Sequence, residues 1–153
     1  MGVYFLDTSA LVKRYVTESG SVWVRTVCDP QAGYTIVISQ AALVEAVATI
    51  CRKAHDGTIT PTDRDRNISI FRRDVRQTYG VQRVTTTVYT RAGDLCRTHR
   101  LRAYDAVQLA CAVTLRDVSV ALGVAPIFVG AAVNVLGFAA AEGLITDDPN
   151  NHP

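Results

Sequence analysis

Three short apolar runs in this chain do not alternate with polar residues: Val3-Tyr4-Phe5-Leu6, Tyr34-Thr35-Ile36-Val37-Ile38 and Pro126-Ile127-Phe128-Val129-Gly130. A strand with one face in water alternates; a run that does not must be covered on both sides. Between these runs lie segments with helical spacing. Thr8 or Ser9 can cap a helix through Tyr15, Gly20 and Asp29-Pro30 bracket a second, and an alanine-rich third runs from Gln40 to about Ala54. Thr60-Pro61-Thr62-Asp63 reads as a further helix start, with proline in the first turn, and that helix stops at Gly80. Val81 to Val84 is a weaker strand. Residues 87–99, Ala103 to Leu115 and Val133 to Ala141 read as helices, and Leu144-Ile145-Thr146 as an edge strand. Strands alternating with helices build a parallel sheet between helical layers. The expected fold is therefore α/β, a three-layer α/β/α sandwich around a parallel sheet of four to five strands. At 153 residues the chain makes one domain, taken as residues 1–146, with 147–153 a frayed, disordered tail.

Composition removes several classes. Hydrophobic residues at 48% and charged residues at 20% exclude a disordered chain. The most apolar stretch, near 118–141, is interrupted by Gly123, Pro126, Gly130 and Asn134, which a membrane span would not carry. The start has no basic region before an apolar core, so a cytoplasmic protein with no membrane association is expected. Cys28, Cys51, Cys96 and Cys111 stand 23, 45 and 15 residues apart with no C-x-x-C pair and no histidine at zinc spacing, so they read as buried thiols.

Charge is unevenly spread. Residues 52–102 hold twelve of the sixteen basic side chains against five acids, which makes that half +7 and the remainder −5. Fourteen of the sixteen are arginine, whose forked guanidinium suits phosphate. A phosphate-bearing partner is one reading and a solvated helix face is the other; charge alone does not separate them. Arg72, Arg73 and Arg76 cluster on one helix and are the expected substrate-binding residues.

Three acids stand where acids are uncomfortable. Asp7 directly follows the first strand, at the carboxyl end where open parallel sheets bind ligands. Glu45 lies inside Ala41-Ala42-Leu43-Val44-Glu45-Ala46-Val47-Ala48, and Asp105 opens another apolar helix. An acid on a buried face must be protonated, paired or bound to a metal. Each also has a plain structural reading: a cap on the first helix for Asp7, an exposed stripe for Glu45, a helix N-cap for Asp105.

Leu6-Asp7-Thr8-Ser9-Ala10-Leu11-Val12, then Leu43-Val44-Glu45-Ala46, then Leu101-Arg102-Ala103-Tyr104-Asp105-Ala106-Val107-Gln108-Leu109-Ala110 resemble, in order and spacing, the signature blocks of the PIN-domain ribonucleases, most closely the VapC toxins of bacterial toxin–antitoxin pairs. The resemblance implies a metal-dependent endoribonuclease hydrolysing RNA phosphodiester bonds, with Asp7, Glu45 and Asp105 catalytic and Asp7 and Asp105 ligating Mg²⁺ or Mn²⁺. Ser9 falls on the position that steadies the first aspartate. It also implies a small cognate antitoxin and a homodimer as partners.

One departure from that pattern is plain. After the last central strand the family usually has phenylalanine-valine-serine-alanine-aspartate, whereas this chain reads Phe128-Val129-Gly130-Ala131-Ala132. Asn134, two residues on, is the expected stand-in for the absent acid. The loss leaves open an alternative in which the chain is a weakened or inactive PIN-fold interaction protein. A phosphotransfer receiver-like domain would also gather acids around Mg²⁺, but it needs an acid pair near the first strand and a late lysine, and no lysine follows Lys53. No G-x-x-x-x-G-K and no G-x-S-x-G occurs.

Overall fold

The structure is a computed structural model that describes residues 2–152. Five strands, β1 (Val3–Leu6), β2 (Thr35–Ser39), β3 (Gly80–Gln82), β4 (Ile127–Val129) and β5 (Ile145–Asp147), form one parallel sheet in the order β3-β2-β1-β4-β5. A receiver-like sheet has the order 2-1-3-4-5, so topology excludes that alternative. Seven α-helices connect the strands: α1 (Thr8–Leu11), α2 (Ser21–Val27), α3 (Ala42–His55), α4 (Pro61–Gln77), α5 (Thr86–Thr98), α6 (Ala103–Ala121) and α7 (Val133–Ala141).

The strand sequences explain the layering. Leu6, Ile36, Ile38 and Val129 enter one core with side chains of α1 to α4, while Phe5, Val37 and Phe128 enter a second core with α5, α6 and α7. Neighbouring residues of one strand thus point into different cores, which is why the runs are apolar without alternating. Phe5 and Phe128 stack across β1 and β4 with ring centroids 5.9 Å apart.

Local chemistry sets the helix ends. Thr60 Oγ1 accepts from the Asp63 N–H while Asp63 Oδ2 accepts from the Thr60 N–H, a reciprocal cap in front of Pro61. The first helix departs from expectation. Its cap is Asp7, whose Oδ1 accepts from the Ala10 N–H at 3.1 Å, and Thr8 and Ser9 turn their hydroxyls to carboxylates instead. Helix α6 outruns its expected end at Leu115 because no glycine or proline interrupts it before Gly123, and Arg91 and Arg116 both pair with Asp117 on the added turns.

The expected frayed tail over 147–153 is also corrected: residues 147–152 are built into the fold, and Pro153 lies outside the described residues. Asp147 completes β5 against Val129, and Asp148 caps a 3-10 turn over Pro149–Asn151. His152 bonds Asp147 at 2.8 Å and stacks on Trp23 at 4.4 Å. Pro149 presses so closely on Gly20 that a Cβ there would stand 2.4 Å from its carbonyl oxygen, so residue 20 has to be glycine. Among the described residues no helix is long and apolar enough to cross a membrane.

Candidate active site

From β1 the chain builds outward through β2 and β3, then returns to the other side of β1 as β4. The crevice at the strands' carboxyl ends, beside that reversal, is where an open parallel sheet holds a ligand. Asp7 stands in it, its N–H donating to the Val129 carbonyl at 3.0 Å. Asp7, Glu45 and Asp105 line one pit there, of about 220 Å³, although 38 and 60 residues separate them along the chain.

Each acid is delivered by a different element. Asp7 is 5% exposed, and among the described residues its carboxylate is bound only by the Ser9 hydroxyl (2.5 Å) and the Ala10 N–H. Ser9 Oγ also accepts from the Ala131 N–H at 2.8 Å, which ties the loop after β4 to the same carboxylate. Gly130 lets that loop approach: a Cβ there would stand 3.0 Å from Asp7 Oδ2. Glu45, on the first turn of α3, is half-buried. Its Oε2 accepts from Thr8 Oγ1 (2.9 Å) and from Gln108 Nε2 (3.0 Å), and the same nitrogen donates to Thr8 Oγ1 at 2.9 Å. Gln108 lies one turn after Asp105 on the same face of α6. It is 2% exposed, and its Oε1 is buried with no partner. Asp105 is on the first turn of α6, with Arg102 at the N-cap, so it is not itself the cap. Neither structural reading of Glu45 and Asp105 therefore describes them fully, whereas Asp7 both caps α1 and lines the pit.

Burial pushes Asp7 up to about 6; the Ser9 and Ala10 hydrogen bonds oppose this, and the charges of Asp105 and Glu45 add to it. Asp105 is also raised, first by burial and then by Glu45, with Arg102 pulling the other way. None of the ion pairs among the described residues involves Asp7, Glu45 or Asp105. No three His, Cys, Asp or Glu side chains there close on a single point as a protein-only metal cage would. Mg²⁺ does not require such a cage: it keeps several waters and takes one or two carboxylates. Carboxylates on three walls of one pit, two of them holding protons more tightly because burial desolvates them and a neighbouring carboxylate adds negative charge, suit a hydrated divalent cation. Asp7 and Asp105 are the residues that would hold it.

The remaining expected site residues divide. Ser9 is in place. Ala132 lines the pit, so a methyl group occupies the wall where the fourth acid was expected. Asn134 is not on that wall; it is exposed and lines an adjoining cleft with Arg100, Arg102 and Asp105. Arg72, Arg73 and Arg76 are not brought to the pit at all. They sit on the last turns of α4, which leads into the amino end of β3, while the pit is at the carboxyl ends. Arg73 is turned to Asp74 at 3.1 Å. The arginines at the pit are Arg52, which lines it, and Arg102 beside Asp105. For Arg52 the signal was in the sequence: Glu45, Thr49 and Arg52 recur at i, i+4 and i+7, one face of α3. Thr49 Oγ1 accepts from Arg52 Nη2 at 2.9 Å.

The PIN domain profile matches residues 4–122. The chain is 31% identical over 123 residues to Ribonuclease VapC45 of Mycobacterium tuberculosis, covering 76% of this chain and 79% of that protein. The fold is similar to that of VapBC2 from Rickettsia felis, solved bound to a DNA fragment from their promoter (TM-score 0.62, 14% identity, 95% of this chain and 98% of that one). It is also similar to PAE2754 from Pyrobaculum aerophilum (TM-score 0.61, 16% identity, 95% and 89%).

Proposed function

The chain belongs to the PIN domain family, and from that premise we propose that it is a metal-dependent endoribonuclease, the VapC-type toxin of a toxin–antitoxin pair. The observation that carries this reading is the pit itself: three carboxylates from three elements, none paired to a protein cation, with Arg52 on the same wall. The relative named Ribonuclease VapC45 supports RNA as the substrate.

Asp7 and Asp105 would hold the cation, Mg²⁺ or Mn²⁺, and a cation there would supply an acidified water and offset charge developing on the scissile phosphate. Ser9 and the Ala10 N–H fix Asp7 in one rotamer. Thr8 and Gln108 both engage Glu45 Oε2, and Oε1 has no partner among the described residues. Oε1 is thus the atom placed to orient the attacking water and receive its proton. The water oxygen bonds to phosphorus, the bond from phosphorus to one ribose oxygen breaks, and that oxygen takes up a proton. Arg52 and Arg102 draw the RNA backbone to the acids.

Incubation of the purified protein with structured RNA tests this reading. Cleavage should appear with Mg²⁺ or Mn²⁺, stop with chelator, and be lost in Asp7→Asn and Asp105→Asn; cleavage persisting in both variants refutes the site. Ala132 on the pit wall favours a second reading, a weakened or inactive PIN-fold interaction protein. No cleavage by wild type under either metal, with cleavage gained in Ala132→Asp, would select it. As partners we propose a small antitoxin, supported by the VapBC2 likeness, and a second copy of the chain. Cytoplasmic residence goes with the toxin reading.

A further inference from the structure

The acid pit opens on one side into a larger cleft of about 620 Å³, with which it shares Glu45, Arg52 and Asp105. The cleft's character is unlike the pit's. Val44 and Ala48 of α3 form one wall, Ala103 and Tyr104 of α6 the other, and Arg52 and Arg102 flank them. Tyr104 is 51% exposed and Val44 56% exposed, apolar surface left to water at the rim of the charged site. A second adjoining cleft, which shares Arg102 and Asp105 with the first, is completed by Arg100, Leu101 and Asn134 and has no aromatic residue. Asp105 thus borders both an aromatic, aliphatic cleft and a polar one.

Resting on the ribonuclease reading above, we infer that the Val44–Tyr104 cleft is a base subsite, in which Tyr104 stacks on one unpaired base next to the scissile phosphate. The chemistry of the lining selects this ligand. An exposed tyrosine ring offers a π-face to any base, an aliphatic wall opposite covers the base's other face, and two arginines beside them meet the phosphates on either side. A paired base cannot enter, since both its faces are already stacked, so the subsite takes single-stranded RNA. Only one of the two clefts carries an aromatic ring. The nucleotide in that cleft is therefore held by stacking, and its neighbour across the cleaved bond, in the polar cleft, by Arg100 and Asn134.

The test uses the full chain and a single-stranded RNA whose cleaved bond has been mapped, with 2-aminopurine placed in turn on either side of that bond. Binding is followed by fluorescence in chelator, where no cleavage occurs, and cleavage is then followed with Mn²⁺. Wild type and Tyr104→Phe should quench 2-aminopurine at one of the two positions, and Tyr104→Ala at neither. Tyr104→Ala should raise KM about 5- to 150-fold, the span of one base–aromatic stack, with kcat moved far less. An abasic nucleotide at the quenched position should cost wild type a similar factor and cost Tyr104→Ala nothing more. An unchanged melting temperature in Tyr104→Ala keeps the comparison free of folding effects, since the side chain lies mostly outside the core. Unaltered quenching and KM in Tyr104→Ala, with wild type active, overturn the subsite and leave the cleft to a protein segment. A wild type that neither binds nor cleaves RNA overturns the ribonuclease reading together with the subsite.

Discussion

Two aspartates are buried almost equally in this molecule, and they are treated in opposite ways. Asp74 on α4, 3% exposed, is bonded by Arg14 Nε (3.0 Å), Arg73 Nη2 (3.1 Å) and the Tyr15 hydroxyl (2.9 Å), with Tyr79 2.6 Å beyond Tyr15. Asp7, 5% exposed, has a serine, one backbone N–H and two further acids for company. A buried carboxylate with its own cations holds the fold together; here it pins α4 to the segment after α1. A buried carboxylate without one leaves its charge for something from outside to satisfy. That contrast, more than burial itself, separates the chemical site from the structural one.

Exchanging the charges should break the comparison most visibly. Asp7→Asn keeps the acceptor oxygen that Ser9 and Ala10 use, so the fold survives while RNA cleavage falls about 10³-fold or more, the several kcal/mol a correctly held cation supplies. Asp74→Asn should do the reverse: it strands Arg14 and costs about 3–5 kcal/mol of stability in urea, while the protein that remains folded still cleaves RNA.

The pH dependence sharpens the same contrast. Asp7 titrates near 6 in the folded chain and at its ordinary value of 3.8 when unfolded, so between these limits the folded state binds more protons. Stability of the metal-free protein should therefore fall as pH rises through that window, by on the order of 3 kcal/mol, with Asp105 adding in the same direction. Of this, about 1.3 kcal/mol falls between pH 5 and pH 7, where denaturant midpoints in chelator measure it. Asp7→Asn should flatten most of the difference, and Mn²⁺ should recover stability at pH 7.

Gln108→Leu should then separate positioning from folding. It removes the orphan Oε1 together with the two hydrogen bonds that Nε2 donates, so stability changes little, but it leaves Glu45 held by Thr8 alone, and cleavage should drop about 10- to 100-fold. The smallest effect is electrostatic. Arg52→Ala or Arg102→Ala should each lower the salt dependence of RNA binding by about one phosphate contact, whereas Arg72→Ala and Arg76→Ala should not change it.

The sheet and the three acids were legible because their signals are local. Val3-Tyr4-Phe5-Leu6 ends on Asp7, and an acid among alanines at 45 must be explained wherever the helix lies. What stayed hidden depends on where a helix points. Arg72, Arg73 and Arg76 are as basic as Arg52, and only the parallel register of β3 shows that α4 carries them away from the carboxyl ends. The tail looked frayed because Asp147-Asp148-Pro149 is polar and turn-like. Nothing along the chain foretells that Gly20 and Trp23 wait for Pro149 and His152. Asn134 stands only two residues past Ala132 along the sequence, but the first turn of α7 carries it past the pit that Ala132 lines.

The most direct measurement is a calorimetric Mn²⁺ titration of the metal-free protein at pH 6, in wild type, Asp7→Asn and Asp74→Asn, repeated in buffers of different ionisation heat. Wild type should bind Mn²⁺ and release protons, because Asp7 is about half protonated at that pH until the cation arrives. Asp7→Asn should lose both the binding and the released protons, and Asp74→Asn should keep them. Mn²⁺ binding that survives Asp7→Asn unchanged, or that vanishes in Asp74→Asn while the chain is still folded, would contradict the assignment of the unpaired carboxylates as the working site.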